Sequence, residues 1–364
     1  MKISYYSPMP PARSGIADYS NWLVRELRRE ADVAVNPTTP VGRAVYHIGN
    51  NQLHRDIYRL AIARPGVVVI HDAVLHHFHL GMLNEGQYVE EFVFNYGEWS
   101  RGLGVELWKN RRRSGADARY FQYPMLRRIA ETAECVVVHN RGAAELVLQH
   151  APNARIVEVP HLYEPSGWVD PVVVERLRKS WGATPSACVF GVFGHLREAK
   201  RIAVTVRAFE SVHRDNPKTF LLLAGAAGSL DMERALVRYA KIPGVIRVGH
   251  TDEADFFAMC AAVDAGINLR YPSAGESSGI TIRLMGMGKP VIVSEGAETS
   301  SIPVGACLKV PVNPAEEATL AEYMRFLASN RTHRLNIGKL AAQHIETNQN
   351  LKIVVKKYLD ILVS

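Results

Sequence analysis

Short β-type runs alternate with longer helical patterns along almost the whole sequence. The alternation occurs as two successive series, in which the strands are separated by stretches long enough for a helix. Strands that alternate with helices at this spacing form parallel sheets with helices on both faces. The sequence therefore predicts an α/β protein of the doubly wound class, with two such sheets.

Apolar runs bounded by turn residues define the predicted strands. The first series comprises Ile3–Tyr6, Ala44–Ile48, Val67–His71, Cys135–His139 and Arg155–Val159. The second comprises Cys188–Phe193, Phe220–Ala224, Val245–Val248, Ala265–Leu269, Val291–Ser294 and Leu308–Val310, with helices over Arg201–His213, Asp231–Lys241, Asp255–Val263, Gly279–Met287 and Ala315–Ala328. One apolar stripe indicates a helix after the first strand, for which Ser14 is the predicted N-cap. The stripe consists of Ile16, Tyr19, Leu23 and Leu27.

The length and a break in periodicity set the predicted domains. The 364 residues are about twice the ~150-residue prior for one domain. Three prolines interrupt the pattern between Pro160 and Pro171. We predict one doubly wound domain over 1–165, a second over 166–345, and a terminal helix over 346–364 that packs back on the first. Such sheets bind ligands outside the carboxyl ends of their strands, so a cleft between the domains is the expected site.

Charge and cysteine usage limit the partners. Lysine and arginine outnumber acidic residues 43 to 36, an excess that suits an anionic ligand and is too small to indicate nucleic-acid binding. Four scattered cysteines, no signal-peptide core and no spanning apolar stretch predict a cytoplasmic protein that is at most peripheral on the inner face of the membrane. Cations concentrate between Lys109 and Arg128, where a solvated face is favoured over a phosphate- or membrane-contacting patch.

Two loops carry groups that can bind an anion. Gly15 follows the first strand at a helix start, where a ligand can approach the backbone and free N–H groups can bind an anion; an ordinary strand-to-helix turn is the alternative. The loop has neither G-x-G-x-x-G nor a Walker A motif, so a dinucleotide enzyme or P-loop NTPase is unsupported. After strand Cys188–Phe193 come Arg197, Lys200 and Arg201, which can neutralise a diphosphate.

A third loop, after Leu269, carries Glu276, which can bind ligand hydroxyls. The residues that follow it offer N–H groups to phosphate, and a structural helix cap is the alternative. These residues are Ser277, Ser278 and Gly279. His71 ends a strand and can face the cleft. No HExxH motif or cysteine partner accompanies His76, His77 and His79, so these histidines are interpreted as structural and no metal site is predicted.

Taken together, these loops resemble the retaining glycosyltransferases of family 4. The resemblance rests on Pro10-Pro11-x-x-Ser-Gly15, on Gly194…Lys200-Arg201 and on Glu276-Ser-Ser-Gly279…Gly288-Lys-Pro-Val, in that order along nearly the whole chain. It implies the GT-B fold, in which two Rossmann-like domains face each other across a cleft and C-terminal helices cross back. It also implies transfer of a hexose from a nucleoside-diphosphate sugar to a glycan or lipid-linked acceptor, with retention of configuration and without metal or cofactor.

The resemblance assigns roles to individual residues. Lys200, Glu276 and His71 are the implied catalytic residues, and Gly15 lies close to the diphosphate. His195 occupies a position where the family has arginine, so Arg197 or Arg201 takes that cationic role. Leu284 and Arg283 stand where a second glutamate is common, as in a subset with a GESSG-type loop; Arg283 then binds the diphosphate or lies in a helix contact.

Two other functions stay open on the sequence alone. A nucleotide-sugar 2-epimerase shares the two-domain fold and would convert its donor without an acceptor. A catalytically inactive protein that binds nucleotide sugars would keep the fold without transfer, and the two departures from the family pattern are compatible with it.

Overall fold

The computed structural model describes residues 1–12, 14–115, 117–165 and 167–363, which form two compact units. The first unit comprises Met1–Leu162, the loop Pro272–Ser277 and the segment from Gln349 onward. The second unit comprises Tyr163–Tyr271 and Ser278–Asn348. The loop that carries Glu276 therefore packs with the first unit, although the strand before it and the helix after it belong to the second.

A parallel sheet forms the centre of the first unit. Its six strands within the described residues lie in the order β2-β1-β3-β4-β5-β6. They are β1 (Lys2–Tyr6), β2 (Asp32–Val35), β3 (Arg43–Ile48), β4 (Val67–Ile70), β5 (Cys135–Val138) and β6 (Ile156–Glu158). The first helices are α1 (Gly15–Leu27), α2 (Arg55–Ala63), α3 (His76–Met82) and α4 (Glu85–Tyr96). They are followed by α5 (Arg101–Asn110), α6 (Arg119–Gln122), α7 (Arg127–Thr132) and α8 (Arg141–His150).

The second unit repeats the plan with the sheet order β12-β11-β10-β7-β8-β9, again parallel. Its strands are β7 (Cys188–Phe193), β8 (Thr219–Ala224), β9 (Val245–Val248), β10 (Ala265–Asn268), β11 (Val291–Ser294) and β12 (Leu308–Val310). Its helices are α9 (Pro171–Ser180), α10 (Ile202–Asp215), α11 (Leu230–Tyr239), α12 (Glu253–Ala262), α13 (Gly279–Gly286), α14 (Glu316–Ser329) and α15 (Arg331–Gln349). The last helix, α16 (Leu351–Val363), lies in the first unit and packs on α1.

Buried strands hold each unit together. In the first unit β4 and β5 are buried along their whole length, and their sequences are accordingly continuous apolar runs. In the second unit β7 is buried throughout, between one hydrophobic cluster on each face of the sheet. The doubly wound α/β class predicted from the alternation is confirmed by both sheets.

One strand was absent from the predicted set. β2 is a four-residue edge strand in which only Val33 is buried, so it carries too few apolar positions to stand out in the sequence. The predicted cap of the first helix is confirmed, because the Ser14 hydroxyl accepts a hydrogen bond from the Ala17 N–H at 3.1 Å.

Candidate functional site

The strand orders place a switch point in each sheet, where connections leave in opposite directions. It lies between β1 and β3 in the first unit and between β7 and β10 in the second. Loops at the carboxyl ends of these strands are the usual ligand-binding places of doubly wound sheets. The loops singled out in the sequence after β1, β7 and β10 all adjoin a switch point.

In the first unit, Gly15 begins α1, and a Cβ atom placed on it would meet no atom within 4 Å. The fold itself therefore does not require glycine there. The first N–H groups of a helix have no partner within the helix and can bind an anion.

His71 directly follows β4 and lies in a row of three buried histidines, which we call the histidine chain: His47, His71 and His139. His47 Nδ1 and His71 Nε2 are 2.8 Å apart, and His71 Nδ1 and His139 Nε2 are 3.2 Å apart. His139 Nδ1 lies 2.9 Å from the carbonyl oxygen of Val159. Both ring nitrogens of His71 are thus bonded to other histidines.

The carbonyl at one end fixes the direction of these bonds. Because Val159 offers only an acceptor, His139 carries its proton on Nδ1 and accepts at Nε2 from His71. His71 in turn accepts at Nε2 from His47. Burial lowers the pKa of His47 and His71 well below the usual value and that of His139 to about 4, so the histidine chain is neutral at pH 7.

Glu276 lies in the loop Pro272–Ser277, which we call the carboxylate loop. Its Oε2 atom accepts a hydrogen bond from the Ala274 N–H at 2.9 Å, which closes a tight turn. Gly275 has a φ of +72°, a left-handed conformation that favours glycine, and a Cβ there would lie 3.0 Å from Ala73. The Ser277 hydroxyl donates to the carbonyl oxygen of His139 at 3.3 Å, so it is bonded to the end of β5.

In the second unit, Lys200 is buried behind the turn that follows β7. Its ammonium group donates to the carbonyl oxygen of Phe193, and Gly194 makes the turn with a φ of +87°. Burial lowers the Lys200 pKa well below its usual value, and the nearby positive charges of Arg270 and Arg197 lower it further. A bound anion would reverse these effects, because it favours the charged ammonium.

Arg270 was not singled out in the sequence, yet the structure brings it to the same place. It follows β10, and the next N–H, that of Tyr271, donates to the carbonyl oxygen of Ala199 at 2.8 Å. This bond ties the end of β10 to the turn that carries Lys200. The sequence signal that could have identified Arg270 is its position after the carboxyl end of a strand that borders the switch point.

Arg197 and Arg201, the two candidates for the cationic partner of Lys200, have different surroundings. Arg197 is exposed beside Lys200. The guanidinium of Arg201 pairs with the buried carboxylate of Glu316, with Nε at 3.0 Å from both carboxylate oxygens. Arg201 is therefore held by an ion pair inside the second unit.

The start of α13 offers backbone N–H groups, as predicted for Ser278 and Gly279. The Ser278 hydroxyl caps the helix through the Thr281 N–H at 3.4 Å and accepts a 2.9 Å bond from the Asn268 side chain. Because it begins the helix, Gly279 has no N–H partner within it. Arg283 lies further along, with its guanidinium 5.6 Å from the ring of Phe256 on α12.

The basic segment is partly neutralised. Arg128 pairs with Glu91, Arg127 with Glu131, and Arg119 with both Asp117 and Glu106. Arg111 lies 4.3 Å above the ring of Trp108. The remaining cations of this segment are exposed at the end of α5 (Lys109) and just after it (Arg112 and Arg113).

The described histidine, cysteine and acidic side chains form no group of three or more that could hold a metal ion. Within the same residues, no helix combines the length and apolarity that a membrane crossing requires.

Comparison with solved structures identifies the architecture. The chain is similar to HepE from Anabaena, solved with UDP and glucose, with a TM-score of 0.66 and 13% identity over 100% of this chain and 99% of that one. The chain has a GT-B fold. WaaG, a glycosyltransferase involved in lipopolysaccharide biosynthesis, matches with a TM-score of 0.63 and 15% identity over 99% of both chains. Sucrose-phosphate synthase from Thermosynechococcus elongatus matches with a TM-score of 0.63 and 16% identity over 99% of this chain and 98% of that one.

These likenesses lie far below the identities at which function is shared, so they show the GT-B fold alone. No protein-family model matches the sequence, and no curated protein matches it significantly.

Proposed function

We propose that this GT-B protein is a retaining glycosyltransferase of the family 4 type, which moves a hexose from a nucleoside-diphosphate sugar to a glycan or lipid-linked acceptor. The observation that carries the proposal is the group of cations around Lys200 at the second switch point, where Arg197 and Arg270 both act on its ammonium. The likeness to HepE, which was solved with UDP and with UDP-glucose, supports the same class of donor.

In this proposal the second unit holds the diphosphate. Lys200 and Arg197 neutralise the charge that develops on the leaving group, and the N–H groups of Ser278 and Gly279 bind its oxygens. The bond from the anomeric carbon to the phosphate oxygen breaks while the acceptor hydroxyl forms a bond on the same face. The leaving phosphate takes the hydroxyl proton, so the step needs neither a separate base nor a metal ion.

The first unit supplies the groups proposed for the sugar. Glu276 accepts hydrogen bonds from hexose hydroxyls, and His71 lines the sugar with a neutral ring. Neutrality suits this role, because a neutral ring lies against the sugar without the desolvation cost of a buried charge. Gly15 lets the diphosphate approach the start of α1.

A thermal-shift screen tests the donor. UDP, GDP, dTDP and ADP, and their common sugar conjugates, are each added at about 100 times the dissociation constant, which stabilises a protein by roughly 2.7 kcal/mol. Selective stabilisation by one nucleotide is the expected outcome. No shift with any of them would contradict the proposed donor site.

Chromatography of the donor after incubation separates the other functions. Conversion of the donor sugar without an acceptor would identify a 2-epimerase. Binding without transfer across a broad acceptor panel would instead favour an inactive nucleotide-sugar-binding protein.

We also propose that the acceptor side contacts an anionic membrane surface on the cytoplasmic side. The support is a group of exposed cations near the end of α5: Lys109, Arg112 and Arg113. Other arginines of this basic segment are paired with acidic side chains. Flotation with liposomes that contain anionic lipid tests this. Co-flotation that is lost in high salt is expected, and equal behaviour with neutral liposomes would contradict it.

A further inference from the structure

The dipeptide His139-Asn140 connects the two groups proposed to contact the sugar, and neither residue was assigned a role from the sequence. It directly follows β5. His139 bonds to His71 through its ring, and Asn140 bonds to the carboxylate loop through its side chain. All of these residues belong to the first unit.

Both N–H groups and the oxygen of the Asn140 amide are hydrogen-bonded. Its oxygen accepts from the Ala143 N–H at 2.8 Å and so caps α8. Its nitrogen donates to the carbonyl oxygen of Gly275 at 3.0 Å and to the Ser277 hydroxyl at 3.1 Å. Only this orientation satisfies all three bonds, because Ala143 offers a donor and Gly275 an acceptor. The residue is only 2% exposed, so water does not compete for these bonds.

These bonds bracket Glu276 in the chain. Gly275 precedes it and Ser277 follows it, and both are fastened to the same side chain. The Ser277 hydroxyl adds a third connection to the His139 carbonyl oxygen at 3.3 Å. A carboxylate on a short loop that is fixed on both sides has little freedom to turn away from its direction.

His139 acts on the other group through its ring. Because it carries its proton on Nδ1, it offers an acceptor at Nε2 and requires His71 to be protonated on Nδ1. A single residue thereby selects the tautomer of His71, and His47 Nδ1 in turn donates to His71 Nε2.

We propose that His139 and Asn140 are positioning residues for sugar recognition: Asn140 holds the carboxylate loop, and His139 holds the His71 ring, which lines the sugar, in one orientation and one tautomer. This rests on the proposed function in what it says about the sugar, but the two holding contacts exist whatever the ligand. The consequence is that the sugar moiety, and not the nucleotide, depends on this dipeptide.

The substitution Asn140→Asp separates the two uses of the side chain. Aspartate caps a helix as well as asparagine does, so α8 keeps its first turn, but its carboxylate cannot donate to Gly275 or Ser277. Asn84→Asp is the matched control, because Asn84 caps α4 through the Gln87 N–H at 3.0 Å in the same way. Hydrogen exchange is measured in peptides that cover 272–277 and 141–150.

In Asn140→Asp we expect amide hydrogen exchange in the carboxylate loop to be about tenfold faster, because two hydrogen bonds are lost. Exchange in α8 should be unchanged. Unchanged loop exchange would overturn the holding role. Neither region changes in Asn84→Asp. This readout needs no nucleotide, so it stands or falls independently of the proposed function.

The link to the sugar is tested by binding. UDP, GDP, dTDP and ADP are titrated alone and as their glucose conjugates into both variants and the unaltered protein. In Asn140→Asp the conjugate that binds best loses about tenfold in affinity while its free nucleotide does not. Equal loss for both would overturn the sugar-specific role, and no binding to the unaltered protein would instead remove the proposed function.

The His139 contact has its own spectroscopic signature. Selective ¹⁵N labelling of histidine is expected to show His71 as a single tautomer protonated on Nδ1. In His139→Phe, which keeps a ring in that space and removes the acceptor, the signal shifts toward the other tautomer. An unchanged His71 tautomer in this variant would overturn the assignment.

Discussion

The hydroxyl groups of Tyr19 and Tyr358 are hydrogen-bonded to each other at 2.8 Å in the interior of the first unit. Tyr19 lies on α1, and Tyr358 lies on α16, near the other end of the chain. The Tyr19 ring contacts every member of the histidine chain, with centroids 5.0 Å from His71 and 5.3 Å from His139. The C-terminal helix therefore anchors the ring against which the histidine chain packs.

Tyr358→Phe should destabilise the protein by about 1–3 kcal/mol, because it leaves the buried Tyr19 hydroxyl without a partner. Replacing both tyrosines by phenylalanine removes both hydroxyls and should cost less than the sum of the single changes. Urea unfolding of the four proteins measures the coupling. Strictly additive changes would mean that the two hydroxyls do not stabilise each other.

Acid should destabilise the first unit through the histidine chain. The pKa of His47, His71 and His139 is lowered in the folded state, so below about pH 6.5 the unfolded chain takes up protons that the folded chain does not. The stability present above that pH is lost as pH falls toward 4. For His139, whose pKa is lowered to about 4, the loss from pH 7 to pH 5 is about 2 kcal/mol, and His47 and His71 act in the same direction.

Unfolding in urea at several pH values between 7 and 5 measures this slope. His47→Phe is the comparison, because its site is already lined by aromatic rings, with the Tyr5 centroid 4.5 Å away. The variant should lose stability less steeply as pH falls. An identical slope would show that His47 does not contribute to the acid sensitivity.

Both sheets could be predicted because their buried strands are continuous apolar runs and because these runs alternate with helical stretches, as in parallel α/β sheets. The candidate loops could be predicted because parallel strands present their carboxyl ends at one edge, where glycine and charged residues are conspicuous. The same rule locates His71 after β4 and Lys200 after β7.

Other features depend on contacts between residues distant in sequence. Asn140 reads as an ordinary helix N-cap, and its bonds to Gly275 and Ser277 become visible only when the chain folds. In the sequence Arg201 looks equivalent to Arg197. The difference is the ion pair between the Arg201 guanidinium and Glu316, which lies 115 residues further along the chain. No periodicity or local motif records such pairs.

Gly15→Ala should leave stability within about 0.5 kcal/mol of the unaltered protein, because the new Cβ meets no atom within 4 Å. If the diphosphate lies against this helix start, nucleotide affinity should fall by roughly tenfold or more. Gly102→Ala is the control, since its Cβ also meets open space on α5. Equal nucleotide affinity in both variants would remove Gly15 from the site.

Exchanging each candidate arginine for methionine distinguishes their roles. Arg201→Met leaves the buried carboxylate of Glu316 unpaired and should destabilise the second unit by about 2 kcal/mol or more. Adding Glu316→Gln should restore most of this loss. Arg197→Met should leave stability within about 0.5 kcal/mol and weaken nucleotide binding, because this side chain is exposed beside Lys200. Calorimetric titration measures nucleotide affinity and urea unfolding measures stability. Weaker nucleotide binding in Arg201→Met but not in Arg197→Met would assign the diphosphate to Arg201.

Lys200→Met should abolish most nucleotide binding without unfolding the protein. Methionine fills a similar volume, and its neutral side chain avoids the cost of burying an ammonium group whose pKa burial already lowers. Turnover should fall at least roughly tenfold, which corresponds to about 1.4 kcal/mol of barrier, and Glu276→Gln should have an effect of at least the same size. Those losses follow because one group neutralises the leaving diphosphate and the other orients the sugar.

Lys289→Met is the matched control for the lysine. Lys289 is a half-buried lysine of the same unit, and its ammonium donates to the carbonyl oxygens of Ala261 at 2.6 Å and Val263 at 2.8 Å. Its removal should lower stability, because those carbonyls lose their donor, and leave nucleotide affinity unchanged. If both lysine variants lost stability and bound nucleotide equally well, Lys200 would be a structural lysine like Lys289, and the diphosphate site would have to lie elsewhere.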